Sequence, residues 1–291
     1  MNIYVDKCII LGIKGGITLS QKLTIISSHK RFIFIFITLV FFSVSFLSAN
    51  NIFNAVSAED KFVGELHLLD VVEVDMVKKE SPSRWGNERR KVVYLTFDDG
   101  PNKYSHGFLD VLNKYNVKAT FFYIGNNINK QPDVLLRSAK EGHYPGLHSM
   151  THNYKKLYLT NSINLANEMQ LTQETVYKYL KIRPDLTRVP YGSYPQVTPE
   201  QREELLKKGL KMWDWTIDSN DWKYPKNPNL IVKHIGDNLK DDNEIILFHE
   251  RQQTLIALPK IIELIQSKGY SFEIYNPDDH LVVNFWQDKK L

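Results

Sequence analysis

The chain predicts an α/β fold, a distorted (β/α) barrel of about seven parallel strands with helices outside. Three observations predict it. From Lys91 onward, short apolar runs alternate with amphipathic stretches about seven times, the pattern of a parallel sheet with crossover helices. The alternation ends at Tyr275, too soon for a regular eight-unit barrel, so the barrel is expected to be small or irregular. The polar residues that follow the apolar runs are Asp98-Asp99, His148, Arg188, Asp218 or Asp221, and His249. At the carboxyl ends of parallel strands these would share one rim, where barrel chemistry sits.

Element by element, residues 92–97 are a continuous apolar run, closed by Gly100-Pro101, and read as a buried strand. A helix follows at 108–115, a strand at 119–124, a helix at 133–141 and a short apolar run at 144–147. A long helix over 165–180 carries Leu165, Met169, Val176 and Leu180 at helical spacing. Residues 186–189 read as a strand, and 199–208 as a helix opened by Thr198 as cap. A strand at 211–216, a helix at 230–239, a strand at 245–248 and a helix at 255–267 follow. The last strand, 271–275, stops at Asn276-Pro277. Trp213, Trp215 and Trp222 cluster late in the chain and are expected to be core, since aromatic residues dominate core packing.

Residues 1–58 stand apart. An apolar run over 32–47 is broken only by Thr38, Ser43 and Ser45 and is preceded by Lys22, Lys30 and Arg31. A basic flank before such a run reads as an export signal or an amino-terminal membrane anchor. Val56-Ser57-Ala58 offers small residues for cleavage, so the cleaved and the anchored form are both expected outcomes. The single cysteine, Cys8, precedes the run, so it cannot be a lipoprotein acceptor, and the exported part has no disulfide. Residues 59–90 are mixed and charged, a linker or lead-in, and the catalytic domain is expected over 91–291 as a monomer. The net charge of +4 resides in the leader: residues 1–58 hold five Lys/Arg and one acid, leaving 32 of 37 bases and 32 of 33 acids to the rest. A body of zero net charge lacks the electrostatic footprint of a nucleic-acid binder.

Five short stretches carry the chemistry. In "TFDDGP" (Thr96 to Pro101) two carboxylates stand side by side at a strand end, a costly pairing unless something offsets the repulsion. "HSMTH" (His148 to His152) spaces two imidazoles four apart, which on a helical turn would let both face one ligand. Two His and one carboxylate make a three-ligand site with open positions, suited to a catalytic divalent metal. One Asp can then bind the metal while the other stays free as a base. The metal lowers the pKa of water from about 15.7 toward roughly 7, leaving the base a modest proton transfer. "RVPYG" (Arg188 to Gly192) adds a fixed cation able to hold a free aspartate ionised and oriented. "DSNDW" (Asp218 to Trp222) adds two acids and an aromatic wall, and "LFH" (Leu247 to His249) ends a strand with an imidazole. A His paired to an Asp gains a raised pKa and can act as a general acid.

In this order the five stretches resemble the motifs of the polysaccharide deacetylases with a NodB homology domain, carbohydrate esterase family 4, over residues 91–275. The resemblance implies metal-dependent hydrolysis of N-acetyl groups on sugar polymers. It implies Asp98 as base and Asp99, His148 and His152 as ligands of a divalent metal, usually zinc, with cobalt or nickel as alternatives. Arg188 would orient Asp98, the Tyr191 N–H would stabilise the oxyanion, and Pro190 would belong to the same substrate-binding turn. Trp222 and Leu247 would line the acetyl-methyl pocket. His249 would protonate the leaving amine, steadied by Asp218 or Asp221. Leu147 and Glu250 differ from what the family often has beside its motifs, and the resemblance gives neither a role. Asp99 resembles the branch acting on N-acetylglucosamine, since relatives acting on muramic acid tend to carry Asn there. Export points to peptidoglycan at the outer face of the cell envelope, with chitin oligomers as the alternative polymer and xylan esters or poly-N-acetylglucosamine further off. Two other classes use related residues. A non-haem iron oxygenase would leave the second Asp, Arg188 and His249 without a purpose. A silent wall-binding module would not need an intact base and acid.

Overall fold

The computed structural model describes residues 90–291, so the expected leader (1–58) and all but the last residue of the lead-in (59–90) lie outside the described residues. Among those described, no helix is long and apolar enough to cross a membrane. Eight parallel strands are present: β1 Val92–Asp98, β2 Thr120–Tyr123, β3 Tyr144–Leu147, β4 Leu186–Thr187, β5 Lys211–Met212, β6 Ile217–Asp218, β7 Asn243–His249 and β8 Ser271–Glu273. Eight helices accompany them: α1 Ser105–Lys114, α2 Gly125–Lys130, α3 Pro132–Lys140, α4 Tyr154–Tyr158, α5 Ile163–Leu180, α6 Pro199–Lys207, α7 Pro228–Asn238 and α8 Gln252–Ser267. The sheet runs β5-β4-β3-β2-β1-β7-β6, with β8 paired to the first half of β1.

One departure from expectation explains the barrel's shape. Of the strand expected over 211–216 only β5 (Lys211–Met212) forms, and the chain then crosses to the opposite edge of the sheet, where β6 begins at Ile217. The five steps from Met212 to Ile217 reach at most about 18 Å. A flat sheet of seven strands would hold its edges about 29 Å apart, so the sheet must curl. Trp213 N–H still bonds the Thr187 carbonyl on the β4 side, and Thr216 N–H bonds the Ile245 carbonyl on the β7 side. The break comes where the Asp214 carboxylate turns to the Ser193 and Phe285 N–H groups. The strand expected over 186–189 likewise pairs only at Leu186–Thr187, because Arg188 begins the turn that carries the site.

Strand pleating sorts side chains between two cores. Val93, Leu95 and Phe97 of β1, Phe121 and Tyr123 of β2, and Ile246 and Phe248 of β7 belong to the larger core. Phe97 is its hub, stacked on Phe121 and Phe248 with centroids 5.2 and 5.5 Å apart and tilted onto Phe108 of α1. The alternate residues Phe122 and Ile245 form a smaller core with Tyr144, Leu186, Trp213 and Tyr275. Asp98 shares the parity of Thr96, and His249 that of Ile245 and Leu247. Both therefore project to the smaller-core side, and the parallel register sets Asp98 directly beside His249. The expected tryptophan core is divided: Trp213 is buried, Trp215 is half-buried against Gly192, and Trp222 is 48% exposed. Thr198 opens α6 through a capping box with Gln201, as expected.

Candidate active site

Asp98, the last residue of β1, is buried and paired with the fully buried Arg188 at 3.0 Å. The same guanidinium donates to the Thr96 hydroxyl and to the Trp213 and Asp214 carbonyls. This is a buried, multiply bonded pair and not a surface salt bridge, so each partner depends on the other to offset desolvation. Burial pulls the Arg188 guanidinium below its usual range, while Asp98 opposes the shift.

Asp99 leaves the strand in left-handed backbone (φ 72°), and its carboxylate lies against His148 and His152. Its Oδ1 lies 3.6 Å from His148 Nε2 and 3.3 Å from His152 Nε2, with Asp98 Oδ2 3.8 Å from the same His148 Nε2. The two imidazoles are not on a helical turn, as the spacing suggested. Residues 148–152 form a loop with left-handed Ser149 and His152 (φ 60° and 54°). The loop is pinned from several sides. The Ser149 hydroxyl accepts from His152 N–H, Gly125 N–H donates to the Ser149 carbonyl, and Thr151 donates its N–H and hydroxyl to the Glu168 carboxylate of α5. The His148 Nδ1 lies 2.7 Å from the Arg188 carbonyl, which can only accept, so Nδ1 carries the proton and Nε2 keeps a lone pair.

These three residues suit a divalent cation. One ligand atom from each of Asp99, His148 and His152 falls within a 4.8 Å set, and buried Asp99 Oδ1 has no hydrogen-bond partner among the described residues. An oxygen and two neutral imidazole nitrogens, with one imidazole oriented by a carbonyl, form a three-ligand set of the catalytic kind. Burial and the neighbouring His148 hold the His152 ring below its usual pKa, against the pull of Asp99, which favours the neutral form a metal needs.

Across the rim His249 ends β7. Its Nδ1 meets the Asp221 carboxylate at 2.9 Å, its N–H donates to the other Asp221 oxygen, and the Thr254 hydroxyl donates there too. Burial pushes the Asp221 carboxyl up, yet the His249 and Thr254 bonds prevail and it lies below its usual range. Burial pulls His249 down, but the hydrogen bond and charge of Asp221, aided by Asp98 and Asp99, leave it raised. Sequence spacing left Asp218 and Asp221 equivalent; the geometry joins only Asp221 to His249. Asp218 is drawn off because its carboxylate accepts from Asn220 N–H and its carbonyl faces His234. Left-handed Asn220 then turns the chain so that Asp221 points inward.

Leu247 is buried on the inward side of β7, and Trp222 stands half-exposed beside the Asp221 turn. Tyr191, left-handed at φ 69° and half-exposed, packs against His152 with centroids 4.8 Å apart. Pro190 is buried and its carbonyl accepts from the Tyr158 hydroxyl, which anchors the turn. Three acids with no expected role prove central. Asp214 binds Ser193 through N–H and hydroxyl, Glu168 holds the histidine loop, and Glu250 lies beneath the aspartate loop. Burial, then the charges of Asp99 and Asp98, push Glu250 up to about 8 against the Ser105 bond. Two of the three were signalled: Glu168 interrupts the apolar face of α5 and Asp214 sits between two tryptophans.

Fold and site define a class, the metal-dependent hydrolases built on a curled parallel sheet. The chain belongs within it to the polysaccharide deacetylase family, whose profile matches residues 86–213. It is 42% identical over 221 residues to a peptidoglycan-N-acetylglucosamine deacetylase of Bacillus cereus, covering 74% of this chain and 80% of that one. It is 35% identical over 184 residues to the peptidoglycan-N-acetylmuramic acid deacetylase PdaC of Bacillus subtilis, covering 62% of this chain and 37% of that one. The crystal structure of the polysaccharide deacetylase Bc1974 from Bacillus cereus superposes with a TM-score of 0.67 at 43% identity, over 69% of this chain and all of that one. The profile ends before Asp221 and His249.

Proposed function

We propose that this enzyme hydrolyses the N-acetyl groups of N-acetylglucosamine residues in peptidoglycan, using zinc held by Asp99, His148 and His152. The observation that carries the reading is the register of Asp98 beside His249, each already paired with its own partner, next to the three-ligand set. A divalent cation held by Asp99, His148 and His152 would supply Lewis acidity to the reaction. Asp98, held and oriented by Arg188, takes the proton from the attacking water. The Tyr191 N–H donates to the oxygen that gains charge, in the turn that buried Pro190 anchors. Leu247 and Trp222 enclose the acetyl methyl. His249, whose pKa the paired Asp221 raises, gives its proton to the departing amine, so the C–N bond breaks to free acetate and a glucosamine amine.

The likeness to a peptidoglycan-N-acetylglucosamine deacetylase and the Asp at position 99 support the sugar assignment. The basic flank and apolar run of residues 1–58 support export, with 91–291 as a monomeric catalytic domain at the outer face of the envelope. Acetate release from purified peptidoglycan and from chitin oligomers, with chelator and then added zinc, cobalt or nickel, tests this. Zinc-restored release, faster on peptidoglycan, is expected. Faster release from chitin would move the substrate, and no metal-restored release from either would overturn the reading.

A further inference from the structure

Glu250 follows the proposed acid directly, yet its side chain turns away from the substrate rim and runs beneath the aspartate loop. It is 2% exposed, and a Cβ at Gly100 would collide with its carboxylate, so glycine at 100 and Glu250 occupy complementary space. Three hydrogen bonds tie this one residue to the loop, and a fourth extends the chain from Ser105 to Asn102. Its N–H donates to the Asp98 carbonyl at 3.2 Å, and its carbonyl accepts from Asn102 Nδ2 at 2.9 Å. Its Oε2 accepts from the buried Ser105 hydroxyl, which itself accepts from Asn102 N–H at 2.7 Å. The opposite side of the loop is held from the segment after β2: Ile124 N–H donates to the Gly100 carbonyl, Asn127 Nδ2 to that of Asp99 and Gln131 Nε2 to that of Pro101.

Asp99 sits in left-handed backbone, a conformation that persists in a non-glycine residue only when its surroundings enforce it. We infer that Glu250 is a positioning residue: through Ser105, Asn102 and the space at Gly100 it locks the 98–105 loop to the end of β7, which sets Asp99 on the metal and fixes the spacing between Asp98 and His249. This rests on the metal reading of Asp99 above. The lock works by shape and an accepted hydrogen bond. Glutamine keeps both, and alanine keeps neither.

The test compares wild type with Glu250→Gln, Glu250→Ala and Ser105→Ala, measuring zinc affinity by chelator competition, kcat and KM on one N-acetylglucosamine oligomer, and thermal midpoint. Glu250→Ala is expected to lose about 10- to 100-fold in zinc affinity and about 100-fold in zinc-saturated kcat, with KM little changed. Glu250→Gln is expected to restore both to near wild type. Ser105→Ala, which removes only the hydroxyl, is expected to lose zinc affinity in the same direction and decides the matter if Glu250→Ala does not fold. Wild-type zinc affinity and kcat in Glu250→Ala or Ser105→Ala would overturn the inference alone. Equal damage in Gln and Ala would overturn it by showing that the carboxylate acts through charge. A wild-type enzyme that binds no zinc would overturn this inference and the proposed function together.

Discussion

The proposed acid–base half of the site and the proposed metal half are built differently. Asp98 and Asp221 are buried, and each has its partner in place, Arg188 at 3.0 Å and His249 at 2.9 Å. Asp99 and His152 are partly exposed, take left-handed backbone, and Asp99 Oδ1 has no protein partner among the described residues. One half is complete from the chain alone, while the other keeps donor atoms free and close together. Adjacent carboxylates can thus do different work: β-pleating turns Asp98 inward to a guanidinium, and the change of backbone region turns Asp99 toward two imidazoles.

Metal removal should break this contrast most severely. Chelation is expected to abolish acetate release while leaving the Asp221–His249 pair intact. If zinc is supplied at about 100 times its Kd, the site contributes about 2.7 kcal/mol. For a domain of this size the thermal midpoint should then fall by about 5–10 °C on chelation. Next in size is His249→Ala, expected to lower turnover about 100- to 10,000-fold with zinc content unchanged; parallel loss of zinc would make His249 a ligand.

A sharper probe of the acid–base half is Asp221→Asn. His249 is raised because Asp221 outweighs burial, and a general acid works only while protonated. Activity is therefore lost as pH rises through the His249 pKa. Removing the Asp221 charge lowers that pKa, so the alkaline limb of kcat/KM should move to lower pH while the acidic limb stays. An unmoved alkaline limb would assign it to another group. The smallest effect belongs to Asp218→Asn, which keeps the acceptor for Asn220 N–H and touches nothing on His249. Stability within about 0.5 kcal/mol of wild type is expected, with turnover and its pH profile unchanged; a shifted profile would restore Asp218 as His249's partner.

Much of this arrangement was legible in the sequence, and the remainder has physical reasons for being hidden. Residues 92–97 read as a buried strand from hydropathy alone, and their alternation already determines that Asp98 faces as Thr96 does. That two His and one Asp come together was suggested by residue types, and which Asp joins them by the family resemblance. The path of 148–152 was not, because left-handed Ser149 and His152 are sustained by Gly125, Glu168 and the Ser149 hydroxyl, all tertiary contacts. Asp218 and Asp221 differ only through the Asn220 turn. The 211–216 run read as one strand because Met212, Trp213 and Trp215 give it apolar weight on both sides of Asp214, and the sheet curvature that carries the chain from one edge to the other is a property of all the strands together. Glu250 carried no signal: its importance lies in the space at Gly100, 150 residues away.

The most direct test of the division between the halves is zinc content measured beside turnover in Asp98→Asn and Asp99→Asn. The account predicts that Asp98→Asn binds zinc like wild type and loses turnover, whereas Asp99→Asn loses zinc affinity and turnover together. Zinc loss in Asp98→Asn, or full zinc retention in Asp99→Asn, would contradict it.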